Sequence, residues 1–257
     1  IRLPNEIIDK PAIIYDLIKL AKEKYGNQWS RFTIRNISSS KISHEYCGDV
    51  SYFKTNKKLD ISEIISKKYI KNIQRLNKKL NEEIGSYEFS INTPSLPDSL
   101  EKFVEFEGKT WKGMDGVAIS SNLKLLTTYN KIGKNFTDEK MFIAKIKSKE
   151  RVLSSALGFH LGGTLYIHKI SHNQEYSKYA PGSILIIKLL EHSINTTNIT
   201  NMNLVTSPEW AKRWHPSLMN IINIVHYNDN FTGRLLNLVV LSWRKYKPTL
   251  KALLKIN

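Results

Sequence analysis

The chain has a single cysteine, Cys47, in 257 residues. That excludes an internal disulfide framework and a cysteine-built zinc site, and it fits a reducing, cytoplasmic setting. Long hydrophobic runs are missing as well. The two longest, 184–190 and 235–243, are interrupted by Lys188 and Asn237 and are too short to cross a bilayer. No secretory leader is legible, and a start at Ile1 rather than Met is what a trimmed leader or a preceding segment would leave. Acidic residues are scarce, 23 Asp and Glu against 39 Lys and Arg, for a net charge of +16. The cations are dispersed, so the excess reads as solvated charge or attraction for an anionic small substrate before a polyanionic partner or membrane surface. No internal repeat or low-complexity linker is visible. With 41% hydrophobic residues, the chain can build one large core or two modest ones.

Periodicity predicts a helix over 11–24, short strands over 29–37 and 46–53, and a long helix over 61–84. That last helix keeps Ile65, Tyr69, Ile73, Leu76, Leu80 and Ile84 on one face. Lys67, Lys68, Lys71, Arg75, Lys78 and Lys79 cover the others. A strand over 87–91, a turn at 94–97 and helices over 99–110 and 123–132 follow. A hairpin, 141–146 with 152–161, turns at Ser148-Lys149-Glu150 beside a strand over 163–170. Further strands are expected over 201–205 and 218–226, then a helix over 233–245 that stops before Pro248. The succession is α/β (α+β), a mixed sheet flanked by helices, with its two halves meeting near 92–100.

Between the strand 163–170 and the apolar run 184–190 lies Glu175-Tyr176-Ser177-Lys178-Tyr179-Ala180-Pro181-Gly182-Ser183. A small-residue loop opening a buried helix leaves backbone N–H groups unpaired, with the helix dipole behind them. That suits a phosphate or pyrophosphate. The alternative is an ordinary strand-to-helix corner.

The loop resembles the acyl-CoA loop of the GNAT N-acyltransferases, Gln/Arg-x-x-Gly-x-Gly/Ala, at Ser177, Ala180 and Gly182, with Lys178 beside the lost Arg. Phe106-Glu107-x-x-x-Trp111-Lys112-Gly113-x-x-Gly116 resembles the CelD/BcsL-like acetyltransferases of cellulose and surface-polysaccharide biosynthesis. So do Gly163-Thr164-Leu165-Tyr166, Tyr176-x-x-Tyr179-x-Pro181-Gly182 and Pro208-Glu209-Trp210-Ala211-Lys212-Arg213-Trp214. That subgroup is related to the peptidoglycan-bridge aminoacyltransferases. The resemblance implies a GNAT-type sheet, doubled in tandem, with a degenerate or shortened first module at 1–95 and an acyl-CoA-binding module at 96–257. It also implies acyl-CoA, acetyl-CoA first, as co-substrate, with no metal.

Carried onto these residues, the family's pyrophosphate contacts fall to the backbone of Tyr179, Ala180, Gly182 and Ser183, with Lys178 nearby. The pantetheine arm would pair with Lys169, Ile170 and Ser171. His172, at the end of that strand and titrating near neutrality, is the candidate base. Glu107 would bind or deprotonate an amine while Trp111 stacks on its ring and Lys112 assists. Glu209 is a further candidate for proton transfer, and Lys212, Arg213 and Trp214 would line the substrate. Each has a plainer alternative: a surface histidine, a helix-end packing motif, a solvated charge. The expected acceptor is a small amine, such as a nucleotide-linked or anionic amino sugar. Two other readings stand beside it: a donor that is aminoacyl-tRNA or an acyl carrier protein, and a non-catalytic nucleic-acid or surface-binding module. The aromatic-poor basic helix argues against a single-strand groove. The basic, amphipathic stretch 243–255 is compatible with peripheral membrane contact, which is not the expectation there.

Overall fold

The computed structural model describes residues 31–37, 45–55, 60–92, 95–228 and 230–254, together with Lys19 and Glu23. The helix expected over 11–24 otherwise lies outside the described residues. The chain divides into two compact units, Ile1–Asp49 with Met219–Asn257, and Val50–Leu218. In the first, β1 (Arg31–Ile37) runs antiparallel to β8 (Ser217–Tyr227), with Ile34 opposite Ile224, and the long helix α8 (Phe231–Leu254) follows. That helix continues through Pro248, where an end was expected. Leu, Lys, Arg and Ala around the proline are strong helix formers, and their propensity offsets the one hydrogen bond it removes.

The second unit holds a sheet in the order β2 (Glu45–Lys54), β7 (Asn201–Asn203), β6 (Thr164–His172), β5 (Arg151–Leu161), β4 (Met141–Ser148) and β3 (Glu88–Ile91). From β3 to β6 the strands are antiparallel neighbours. The expected hairpin turns at Lys149, held at φ 51°, and Gly162 and Gly163 (φ 54° and 69°) close the β5–β6 turn. β6 and β7 run parallel, joined through α6 (Pro181–Asn195).

Alternation along the strands builds two cores. Phe142, Ala144, Ile146, Ala156, Leu165 and Ile167 face α6 and α2 (Lys67–Glu83), burying Leu185, Leu189, Leu190, Ile73 and Leu80. Each fully enclosed Leu contributes roughly 1.5–3 kcal/mol. Met141, Ile143 and Leu157 face the other way, onto Leu96, Leu100 and Phe103 of α3 (Leu96–Gly108) and Tyr129 of α5 (Leu123–Asn135).

The long helix expected over 61–84 is two helices, α1 (Ile61–Ile64) and α2. Ile65 is extended at the break, and Ser66 caps α2 by accepting from the Tyr69 N–H. Helix α3 begins earlier than expected, because Ser95 caps it and Pro97 fits its first turn. The module boundary expected at 95/96 falls inside the second unit: β3 pairs with β4 across it, and α2 shares its core with α6.

Candidate functional site

Strands β6 and β7 form a fork. They pair through Thr164, Leu165 and Tyr166 opposite Asn201, Met202 and Asn203, and then β6 runs on to His172 paired with β5 alone. The chain after β7 stays with β2 instead, the Leu204 N–H donating to Ser51 O (2.9 Å) and the Ser51 N–H to Thr206 O (3.1 Å). A β-bulge helps to open the fork: Leu157 faces Lys169 and Gly158 faces Ile167, so His168 is the extra residue. Beyond the bulge, the Asn173 N–H donates to Leu153 O (2.9 Å). Antiparallel alternation then bonds Ser171 and Lys169 to β5 and turns the backbone of Ile170 and His172 toward the open side. Of the three residues expected to pair with a pantetheine arm, Ile170 alone presents its backbone there. Lys169 and Ser171 are spent within the sheet.

The loop after β6 is a 3-10 turn, Gln174–Tyr179, that ends in left-handed Ala180 (φ 53°) ahead of α6. Ala180 O accepts from the N–H groups of Ser183 (3.0 Å) and Ile184 (3.1 Å), and the Ala180 N–H donates to Ser177 O (2.9 Å). Two of the expected phosphate donors, Ala180 and Ser183, are therefore committed inside the loop. The Gly182 N–H has no partner among the described residues. A Cβ on Gly182 would lie 3.8 Å from Ile170 Cδ1 and 3.9 Å from His172 Nδ1, so the last turn of β6 and the start of α6 meet with room between them. Burial, and then the Lys112 ammonium, hold the His172 imidazole below the ordinary histidine pKa.

Tyr179 and Lys178 serve the scaffold. Tyr179 is buried and its hydroxyl donates to Glu83 at the end of α2, while Lys178 Nζ reaches the same carboxylate at 3.0 Å. The Tyr179 hydroxyl and then Lys178 pull the Glu83 pKa down to about 2. The lysine expected to replace a phosphate-binding arginine is thus paired across the fold.

Glu107 is fully buried at the C-terminal end of α3. Its Oε1 accepts from Lys112 Nζ and Lys169 Nζ, each at 3.2 Å, and its Oε2 from the Ile119 N–H at 2.9 Å. Lys112 Nζ also donates to Ile170 O at 2.7 Å, so it stands at the open edge of β6. Burial pushes the Lys112 pKa down and Glu107 opposes the shift. Enclosed by three donors, Glu107 organises cations and has no free face from which to take a proton from an amine.

Lys112 lies on the short helix α4 (Trp111–Met114), which Thr110 starts. A Cβ on the next residue, Gly113, would fall 1.9 Å from Gly108 O, so glycine alone lets α4 fold back onto α3. Gly113→Ala is expected to destabilise the protein by roughly 1–3 kcal/mol, read as a lower urea midpoint with unchanged slope. An unchanged midpoint would contradict this packing.

Glu209 and Lys212 of α7 (Glu209–Lys212) pair with each other at 2.6 Å in solvent, and Arg213 beside them is exposed. Trp214, expected to line substrate, is enclosed instead. Its ring lies 5.3 Å from Tyr69, 5.7 Å from Trp210 and 6.1 Å from Phe53. Packing against three aromatics offsets the cost of its indole N–H, which is buried without a partner among the described residues. Trp111 and Trp210 are half-exposed.

Several site contacts carry no local sequence signal. Tyr69 meets Ser183 at 3.2 Å between hydroxyl oxygens, and Tyr129 meets His168 Nε2 at 2.6 Å. Burial, then the Glu107 charge, pushes the Tyr129 hydroxyl up to about 12.

Solved structures share this fold. FemX matches over 89% of this chain and 79% of its own, at 12% identity and a TM-score of 0.60. The C-terminal domain of a putative lysylphosphatidylglycerol synthetase from Agrobacterium fabrum matches over 90% and 77%, at 11% identity and a TM-score of 0.55. L-PGS from Bacillus licheniformis matches over 89% and 76%, at 11% identity and a TM-score of 0.52. No curated protein sequence matches the chain. The family model described as acetyltransferase (GNAT) domain matches residues 67–213, from the start of α2 through the fork and the loop to the end of α7. The chain belongs to that family and is a GNAT-type N-acyltransferase.

Proposed function

We propose that the chain transfers an acyl group, acetyl first, from acyl-coenzyme A to a small amine, such as an amino sugar in cytoplasmic steps of surface-polysaccharide metabolism. The fork carries this reading. An open strand edge leads from Tyr166 to Gly182 at the mouth of α6, which suits an extended ligand with an anionic end. The clear space around Gly182 and its unpartnered N–H fit a phosphate held by the helix dipole. When bound, the thioester would supply an activated acyl carbon for the amine to attack.

The chain's residues then divide the work. Ile170 and His172 offer backbone groups along the open edge. Lys112 has given two of its three N–H donors to Glu107 and Ile170 O, which leaves one for a carbonyl oxygen. His172 stands beside Gly182, and β6 carries a ligand back roughly 16 Å from there to Ile167. We therefore assign His172 to the anchored end rather than to proton removal. Trp111 and Trp210 suit a sugar ring, and the exposed Lys212 and Arg213 suit an anionic acceptor.

A macromolecular donor, aminoacyl-tRNA or a carrier protein, is the second reading. It is favoured by the exposed Lys67, Lys68, Lys71 and Arg75 on α2. Thermal melting separates the two. Acetyl-CoA at 100 times its Kd should stabilise the protein by about 2.7 kcal/mol. No stabilisation by any acyl-CoA, with salt-dependent binding of tRNA, would replace the first reading by the second.

A further inference from the structure

We infer that Tyr129 and His168 form the proton relay of the acyl transfer: the Tyr129 hydroxyl takes the proton of the attacking amine and passes its own to His168 Nε2. With acyl-CoA as donor, the reading on which this assignment rests, the amine must lose a proton. Two nearby groups are badly placed to take it. Glu107 is enclosed by three donors, and His172 stands at the anchored end. The fork supplies the place. Strands β6 and β7 part after Tyr166, so an extended ligand anchored at Gly182 brings its far end into the notch beside Ile167. His168 comes next and is the extra residue of the bulge. Neighbours on a regular strand point to opposite faces. Here the bulge brings His168 and Lys169 to the same helical layer, where Lys169 meets Glu107 of α3 and His168 meets Tyr129 of α5. His168 is exposed, and its ring is set by Phe159 and Tyr129, with centroids 5.9 and 6.1 Å away.

The chemistry suits a carrier and an acceptor. Tyr129 Oη lies 2.6 Å from His168 Nε2, a contact short enough for a proton to cross. A phenolic hydroxyl has one proton and two acceptor positions, so donating to Nε2 leaves the oxygen able to accept from an amine N–H. Held at about 12, the hydroxyl keeps its proton at neutral pH and works as a carrier rather than a standing phenolate. Imidazole accepts protons in the neutral range. As the amine nitrogen bonds to the thioester carbonyl carbon, its N–H bond breaks and an O–H bond forms on Tyr129. The former Tyr129 proton then sits on Nε2. When the C–S bond breaks, the imidazolium returns that proton along the same path to the departing thiolate, and both residues are reset.

Thiol release from acetyl-CoA by the full chain, with glucosamine as the amine, tests the relay. Tyr129→Phe keeps the ring in its core, and His168→Gln keeps a polar amide without a titrating nitrogen. Each should lower kcat by roughly 100- to 10,000-fold. The acetyl-CoA Kd and the melting temperature should stay at the parent values, a split that a merely packed pair would not give. The double variant should lose no more than the worse single one, because the pair acts as a unit. Nitrogen NMR reads the same pair without any amine. His168, assigned by its loss in His168→Gln, should carry its proton on Nδ1 and leave Nε2 to accept from Tyr129. A proton on Nε2 in the parent would overturn the inference. So would a kcat within about threefold of the parent in either single variant. A parent that binds no acyl-CoA would instead overturn the donor reading beneath it.

Discussion

Glu107→Ala is expected to cost about 3–5 kcal/mol of stability, the largest loss of any single polar substitution in the second unit. The carboxylate is fully buried, and the lysines it pairs with are themselves nearly so, at 15% and 18% side-chain exposure. Alanine leaves two ammonium groups facing each other away from water and orphans the Ile119 N–H that Glu107 now accepts. Urea denaturation reads the loss directly. The variant should also depend on pH in a defined sense. Without the carboxylate, nothing opposes the depression that burial imposes on Lys112, whose folded pKa then lies further below its unfolded one, so the unfolded chain binds more protons. Stability then rises as pH climbs toward the ordinary lysine value and falls as it drops. Lys112 is already depressed by burial in the parent, and the variant should steepen that trend. Glu107→Gln, which keeps the volume and one acceptor, should lie between. A loss below about 1 kcal/mol, the range of an exposed ion pair, would show that the triad is not the hub assigned to it.

Gly182→Trp should weaken acetyl-CoA binding roughly 100-fold or more while leaving the fold intact. Gly182 has an ordinary helical φ, and its Cβ position meets nothing closer than 3.8 Å, so the backbone accepts a side chain. An indole would fill the space between α6 and the end of β6 where the anionic end of the donor is proposed to sit. Gly182→Ala provides the contrast: its methyl fits, and it should melt at or slightly above the parent temperature. Calorimetric titration with acetyl-CoA measures both variants. Retained affinity in the tryptophan variant, with a parent-like melting curve, would move the donor away from the fork.

Local patterns made most of the scaffold legible in the chain itself. The turn at Lys149, the buried helix opened by Pro181, and the strand that became β6 follow from alternation, helical spacing and capping, which act over a few residues. The break at Ser66 and the early start of α3 were in principle legible too, since Ser66 and Ser95 are ordinary caps. The motif around Glu107, Trp111 and Lys112 left its chemistry open in the sequence, between handling an amine and packing a helix end. Burial and pairing belong to the tertiary structure, and they turned Glu107 from a candidate base into a buried anchor for two cations. They also enclosed Trp214 and spent Lys178 on Glu83.

The sequence by itself determined the elements, their order and the glycine at the mouth of α6, because backbone propensity and periodicity are properties of neighbours along the chain. Only the tertiary structure decided which edge of β6 stands open, which lysines face one carboxylate and which tyrosine meets His168. Those depend on a one-residue bulge and on contacts between residues far apart in the chain, 96 positions between Glu83 and Tyr179 and 114 between Tyr69 and Ser183. No short-range pattern encodes them, and the chemistry of the site rests on them.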